Sequence, residues 1–182
     1  AHTRRNTIGI WGDGNVGYIT AVMLKMMFPE VKLYIMGVDR EKLSQFSFAD
    51  GVFSVSELPS DLFFDDVFEC VGGSQASGAI NQMIDHIEPE GAISLLGVSE
   101  YPVPVNTRMV LEKGLRIFGS SRSGREDFLK VMELYKEHPE IIGYLSNIVG
   151  AQVKIRDISD MNLAFDMDFH KSIGKTIMIW DS

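Results

Sequence analysis

Cysteine is nearly missing from this sequence: Cys70 is the only one among 182 residues. One thiol cannot close an internal disulfide, nor build a zinc site that takes several cysteines. Positive charge is also scarce, with 17 Lys and Arg against 25 Asp and Glu and a net charge of −8. That balance argues against a nucleic-acid surface or an anionic membrane as partner. No apolar run is long enough to span a bilayer, and the opening residues do not read as a signal peptide. Four histidines, His2, His86, His138 and His170, are scattered without metal-ligand spacing, so each is expected at the surface. There are no repeats and no low-complexity segment. A reducing, cytoplasmic setting is the expectation. The start at Ala1, without Met and a few residues before an apolar run, reads as a piece excised from something longer.

What remains is ordinary for a folded chain: 45% hydrophobic and 23% charged residues, at a length that buries one substantial core with an extension. The chain is organised around Gly12-Asp13-Gly14-Asn15-Val16-Gly17, preceded by the short apolar run Thr7 to Trp11. Tyr18, Ile19, Ala21, Val22, Leu24, Met26 and Met27 then continue as a helix that Pro29 ends. Strand, G-x-G-x-x-G turn and helix form the phosphate-binding corner of a dinucleotide fold. Gly12 permits the tight turn, Gly14 admits a pyrophosphate close to the backbone, and Gly17 lets helix pack on strand. The helix N-terminus offers N–H groups and partial positive charge to the anion.

Downstream, Val31 to Met36 reads as a second strand, Glu41 to Phe48 as a short helix, and Val52 to Val55 as a third strand. Phe64 to Val71 reads as a fourth, ending in Gly72-Gly73. Ile80, Met83, Ile84 and Ile87 mark one face of a helix. Glu88-Pro89-Glu90-Gly91 is expected to turn the chain into a fifth strand, Ala92 to Leu96. Asn106 is expected to cap a short helix that Gly114 stops, before a sixth strand from Leu115 to Phe118. Six short strands with interleaved helices predict an α/β fold, a doubly wound parallel sheet. Four of those strands end directly in glycine, at the carboxyl ends where such sheets bind ligands. From Arg125 the character changes to helices at Phe128 to Tyr135, Ile141 to Tyr144 and Ser159 to Phe169, with extended Val153 to Ile155 and Lys175 to Trp180. The paired acids Asp65-Asp66 and Glu126-Asp127 are expected at a strand entry and in a helix first turn.

Two further residues carry open readings. Asp39 follows the second strand, where a carboxylate accepts from ribose hydroxyls and selects NAD, yet Arg40 and Lys42 stand beside it. Asp39 could equally cap the following helix, with Arg40 solvated. Cys70 reads as a small buried apolar residue rather than a nucleophile.

The runs G-D-G-N-V-G-Y, F-E-C-V-G-G, L-L-G-V, L-E-K-G-L-R-I-F-G-S-S-R-S-G and G-K-T-I-M-I-W resemble the coenzyme half of the medium-chain, zinc-dependent dehydrogenases. Within that family they are most similar to the NADPH-dependent ribulose-5-phosphate reductases, or ribitol-5-phosphate dehydrogenases, of teichoic acid and capsule synthesis. The resemblance implies a six-stranded Rossmann domain over residues 1–122, with helices on both faces. Residues 123–182 would be a helical segment and terminal strand, packing on that domain and belonging with an absent GroES-like catalytic domain. It implies NADP(H) in preference to NAD(H), with Arg40 as partner of the 2′-phosphate. Asp13, Asn15 and Val16 join the glycines of the turn as cofactor contacts. Cys70, Val71 and Gly72 would pass the ribose, and Leu96, Gly97 and Val98 would flank the nicotinamide. Arg122 would lie beside nicotinamide and substrate, and Lys175 would approach the pyrophosphate; each reads equally as a solvated surface residue.

In that family the zinc ligands belong to the GroES-like domain, so no catalytic or metal residue is expected here, and zinc only in the full-length protein. The chain by itself is then expected to be inactive. The implied reaction passes hydride from NADPH to ribulose 5-phosphate, a small sugar-phosphate substrate. A homodimer through the coenzyme domain is expected. The competing readings are a non-catalytic dinucleotide-sensing regulatory domain and, disfavoured by the unbroken glycine motif, a methyltransferase.

Overall fold

Alternation of short apolar strands with helices puts a parallel sheet at the centre, because strands that run the same way need crossover connections. In the computed structural model, which describes residues 6–170 and 173–180, the expected lead-in with His2, Arg4 and Arg5 lies outside the described residues. Six strands, β1 (Thr7–Trp11), β2 (Lys32–Gly37), β3 (Gly51–Ser54), β4 (Phe64–Glu69), β5 (Ile87–Leu95) and β6 (Arg116–Gly119), form one sheet in the order β3-β2-β1-β4-β5-β6. All neighbours pair in parallel. The order reverses between β1 and β4, and there the two crossovers diverge to leave a crevice at the carboxyl edge.

The helices α1 (Asn15–Met27), α2 (Arg40–Leu43), α3 (Ala76–His86) and α4 (Thr107–Glu112) connect these strands. The apolar face of α3 buries Ile80, Met83 and Ile84 against Trp11, Phe64, Val67 and Ile93 of the sheet, while Ile87, expected on that helical face, is extended and opens β5 instead. Asn106 caps α4 by accepting from the Met109 N–H at 3.3 Å, and Gly114, at φ 63°, ends it. Such a cap contributes about 1 kcal/mol.

Three further expectations need correction. The helix expected over Glu41 to Phe48 stops at Leu43. Phe46 and Phe48 turn inward onto Tyr18, with ring centroids 5.2 and 5.7 Å away, and aromatic burial overrides the helical period. The fourth strand ends at Glu69 rather than Val71, because the Glu69 carboxylate takes the N–H groups of Val71 and Gly72 out of the ladder. The expected turn at Glu88 to Gly91 lies instead within β5, as a shift of register between the Phe64–Ile87 and Asp66–Ala92 pairings. Glu90 takes φ 65° in this irregularity.

Contacts divide the chain into two units, Ala1–Arg125 and Glu126–Ser182. The second holds α5 (Arg125–Glu137) apart from its first residue, with α6 (Ile141–Leu145), β7 (Val149–Ile155), α7 (Ile158–His170) and β8 (Lys175–Trp180). In it β7 and β8 pair in parallel, and Val153, Ile155 and Ala164 form a small core of their own. Among the described residues no helix is long and apolar enough to cross a membrane.

Asp50 shows how the first unit ties loops to strands. Its carboxylate accepts from the Leu33 N–H at 2.9 Å and from Lys25 Nζ at 3.1 Å. The Leu33 bond first, and Lys25 after it, hold its pKa below the usual carboxylate value despite partial desolvation. A depressed folded pKa stabilises above the unfolded value of about 4 and is lost as pH falls through the folded one. Asp50→Asn should therefore lower Tm at neutral pH, with the gap to the unmodified chain closing in acid. Melting curves across that range check it; a gap constant with pH would contradict it.

Candidate functional site

The crevice between the carboxyl ends of β1, β2 and β4 opens into a cavity of about 660 Å³. Its floor is the glycine turn. Gly12 has φ 129°, and a Cβ there would meet the Cys70 carbonyl oxygen at 2.7 Å. A Cβ on Gly17 would collide with the Gly12 carbonyl, so only glycine lets α1 close onto β1. Gly14 differs: a Cβ there meets nothing within 4 Å. It is the N-cap of α1, extended at φ −84° and ψ −173°, with no side-chain cap and no acid in the first turn. A small anion could settle over it, close to the backbone and facing the positive end of the helix.

Asp13 points sideways from this turn. Its Oδ2 accepts from the N–H groups of Val38 and Asp39 at 2.7 and 2.8 Å, pinning the end of β2 to the turn. Gly37 must lack a side chain, since a Cβ would meet the Asp13 carboxylate at 2.5 Å. Of the two readings of Asp39, the cap is the geometry found: Oδ1 accepts from the N–H groups of Glu41 and Lys42 at 2.9 and 3.2 Å. Lys42 Nζ stands 3.9 Å from its Oδ2. Arg40 is 82% exposed and pairs with Glu57 at 3.0 Å. Asn15 and Val16 open α1 at the same edge.

Cys70 is buried under the turn, its Sγ donating to Thr20 Oγ1 at 3.8 Å. Burial, and less strongly the Glu69 charge, push its pKa up to about 12. Beyond it Val71 is exposed, and Gly72 takes φ 66°. Leu96, Gly97 and Val98 follow β5 beside this segment, with Gly73 donating its N–H to the Val98 carbonyl at 2.8 Å. Arg122, exposed at φ 70°, follows β6 in the first unit. Lys175 opens β8 in the second unit, where it pairs with Val149.

The described histidines lie apart. His86 is bonded to the Leu62 carbonyl, His138 to Glu140 and His170 to the Asp166 carbonyl, whereas His2 lies outside the described residues. Among the described residues no three His, Cys, Asp or Glu side chains converge as metal ligands. With its only thiol held protonated under the turn, this set does not fit a catalytic zinc.

Two arrangements escaped the sequence reading. Glu69 is buried and bonds to three backbone N–H groups. Trp11 donates its indole N–H to Gln82 at 2.8 Å, and Gln82 in turn donates to the Val55 carbonyl, closing the cleft's inner wall. An acid at the last position of an apolar strand was the available signal for the first. The second had none, since Trp11 and Gln82 are far apart in sequence.

The family model described as "Zinc-binding dehydrogenase" matches residues 36–137. Ribulose-5-phosphate reductase 1 of Staphylococcus aureus is 53% identical over 178 residues, which are 98% of this chain and 52% of that protein. Ribulose-5-phosphate reductase of Bacillus spizizenii is 46% identical over 181 residues, 100% of this chain and 53% of that protein. The crystal structure of S. aureus TarJ in complex with NADPH superposes with a TM-score of 0.95 at 53% identity, covering 98% of this chain and 56% of that one. The chain thus spans about half the length of the curated relatives it matches.

A thiol with so high a pKa should be inert. Ellman's reagent at neutral pH should leave Cys70 unmodified in the folded chain and titrate one thiol after denaturation. Prompt modification without unfolding would contradict its placement under the turn.

Proposed function

The chain belongs to the zinc-binding dehydrogenase family, and we propose that it supplies the NADPH-binding half of an enzyme reducing ribulose 5-phosphate to ribitol 5-phosphate. One observation carries the reading: the open space over Gly14 at the uncapped N-terminus of α1, set at the sheet's switch point. A pyrophosphate fits that place, and its relative TarJ has been crystallised with NADPH. When bound, NADPH supplies the hydride for carbonyl reduction.

This chain's residues do the holding. Gly12, Gly14 and Gly17 shape the pyrophosphate seat, with Asp13, Asn15 and Val16 around it. Cys70, Val71 and Gly72, then Leu96, Gly97 and Val98, line the path of the other half of the cofactor. Asp39 spends its carboxylate on capping α2, which leaves the ribose 2′ side to Arg40 and Lys42. The Arg40–Glu57 pair is exposed and worth at most about 1 kcal/mol, so a phosphate could displace Glu57. Arg122 is assigned to the substrate phosphate or nicotinamide. The proposal includes a cytoplasmic setting and a homodimer through β6, the sheet's last strand, where Phe118 is 55% exposed.

Calorimetric titration tests the cofactor. NADPH should bind about tenfold or more tightly than NADH, and Arg40→Ala should remove most of that difference. Gly14→Val should stay folded and bind neither, its side chain standing where the pyrophosphate belongs. Tighter NADH binding with Arg40→Ala neutral would return Asp39 to the ribose. A normal Gly14→Val would move the phosphate site elsewhere.

Reduction itself should not occur with these 182 residues alone, because the described residues bring no metal-ligand set together. Ribulose 5-phosphate added to the chain and NADPH, with or without zinc, should leave the NADPH absorbance unchanged. Zinc-dependent turnover by this chain would refute that placement of the chemistry.

A further inference from the structure

Glu69 is the last residue of β4 and is 1% exposed. A buried carboxylate is costly unless hydrogen-bonded donors compensate it. Its donors all come from backbone. Oε1 accepts from the N–H groups of Val71 and Gly72 at 2.8 and 2.7 Å, and Oε2 accepts from the Gly97 N–H at 3.0 Å. The Glu69 carbonyl also takes the N–H groups of Leu96 and Gly97, at 2.9 and 3.0 Å. One residue thereby ties the loop after β4 to the loop after β5.

The two loops are shaped around that carboxylate. A Cβ on Gly97 would meet both Glu69 carboxylate oxygens, at 2.5 and 2.6 Å. A Cβ on Gly72 would meet the Val98 carbonyl oxygen at 2.7 Å. Further out, Ser99 Oγ donates to the Gly73 carbonyl at 3.1 Å. The zipped loops present Val71, 42% exposed, and Val98, 86% exposed, at adjacent strand ends.

We propose, building on NADPH binding in this cleft, that Glu69 is the positioning residue that presets the seat of the nicotinamide half of the cofactor. A doubly wound sheet binds a dinucleotide across its switch point, one half on each side. With the pyrophosphate over Gly14, the half near β2 and β3 takes adenosine, and the other half extends over the ends of β4 and β5. That second seat is made of loops, and loops must be ordered before they bind at no entropic cost. Glu69 orders them in advance, with bonds that a charged acceptor makes stronger than neutral ones. It touches no cofactor atom and acts through the backbone at Val71, Gly72 and Gly97.

The test separates the halves of the ligand. Adenosine 2′,5′-bisphosphate and NADPH are titrated into the chain and its Glu69→Gln variant, in which one acceptor oxygen becomes an N–H2 facing N–H donors. NADPH should weaken about tenfold or more, while the bisphosphate changes by less than about twofold. Equal loss of both ligands would make Glu69 only structural, and no loss of either would leave it idle; both overturn the proposal. If the unmodified chain binds neither ligand, it is the NADPH reading that fails. Should Glu69→Gln not fold, hydrogen exchange on the unmodified chain without cofactor decides. Protected Val71, Gly72 and Gly97 amides support the preset loops, and rapid exchange at them overturns the idea.

Discussion

The close approach of α1 to β1 is the constraint on which the candidate site depends. Gly17 lies directly against the Gly12 carbonyl, and Gly12 against the carbonyl of Cys70, with no room for a Cβ at either place. Three backbone segments meet there, from β1, α1 and β4. Once they meet, the helix N-terminus is fixed at the switch point of the sheet, and the cavity beside it has its floor. Cys70 is buried as a consequence of the same contact, and its raised pKa follows from that burial.

Carboxylates do the rest of the assembly at this edge. Asp13 holds the end of β2, Asp39 starts α2, and Glu69 joins the loops after β4 and β5. At the opposite edge Asp65 accepts from the N–H groups of Asn6 and Thr7, both at 2.9 Å, and so ties β1 to β4. A net charge of −8 suggests a diffuse acidic surface, yet these acids are internal fasteners. Asp13 and Glu69 satisfy backbone donors left unpaired just past strand ends, Asp65 those at the start of β1, and Asp39 those in the first turn of α2.

The first unit carries the glycine turn, the cleft and the loops assigned to the cofactor. The second, Glu126–Ser182, has a simpler logic. Two parallel strands, β7 and β8, are joined by α7, and Ala164 of that helix packs on Val153 and Ile155. Its hydrophobic side chains are largely exposed, among them Phe128, Phe165, Phe169 and Trp180.

The strand-turn-helix corner, the six parallel strands and the face of α3 were legible in the sequence. They rest on local information, the spacing of glycines and the period of apolar residues, which the chain carries within a dozen positions. The helix cap at Asn106 and its stop at Gly114 were legible for the same reason. What only the tertiary structure decided was the partner of each buried or half-buried polar group. Asp13 reaches amides 25 and 26 positions away, and Glu69 reaches Gly97 across 28. No local period encodes such pairs. Phe46 and Phe48 cut α2 short because Tyr18, on another helix, offered them more burial than a further helical turn could. Position alone left Asp39 open between a ribose ligand and a helix cap. Its carboxylate went to the nearest unpaired N–H groups, those of the helix it begins.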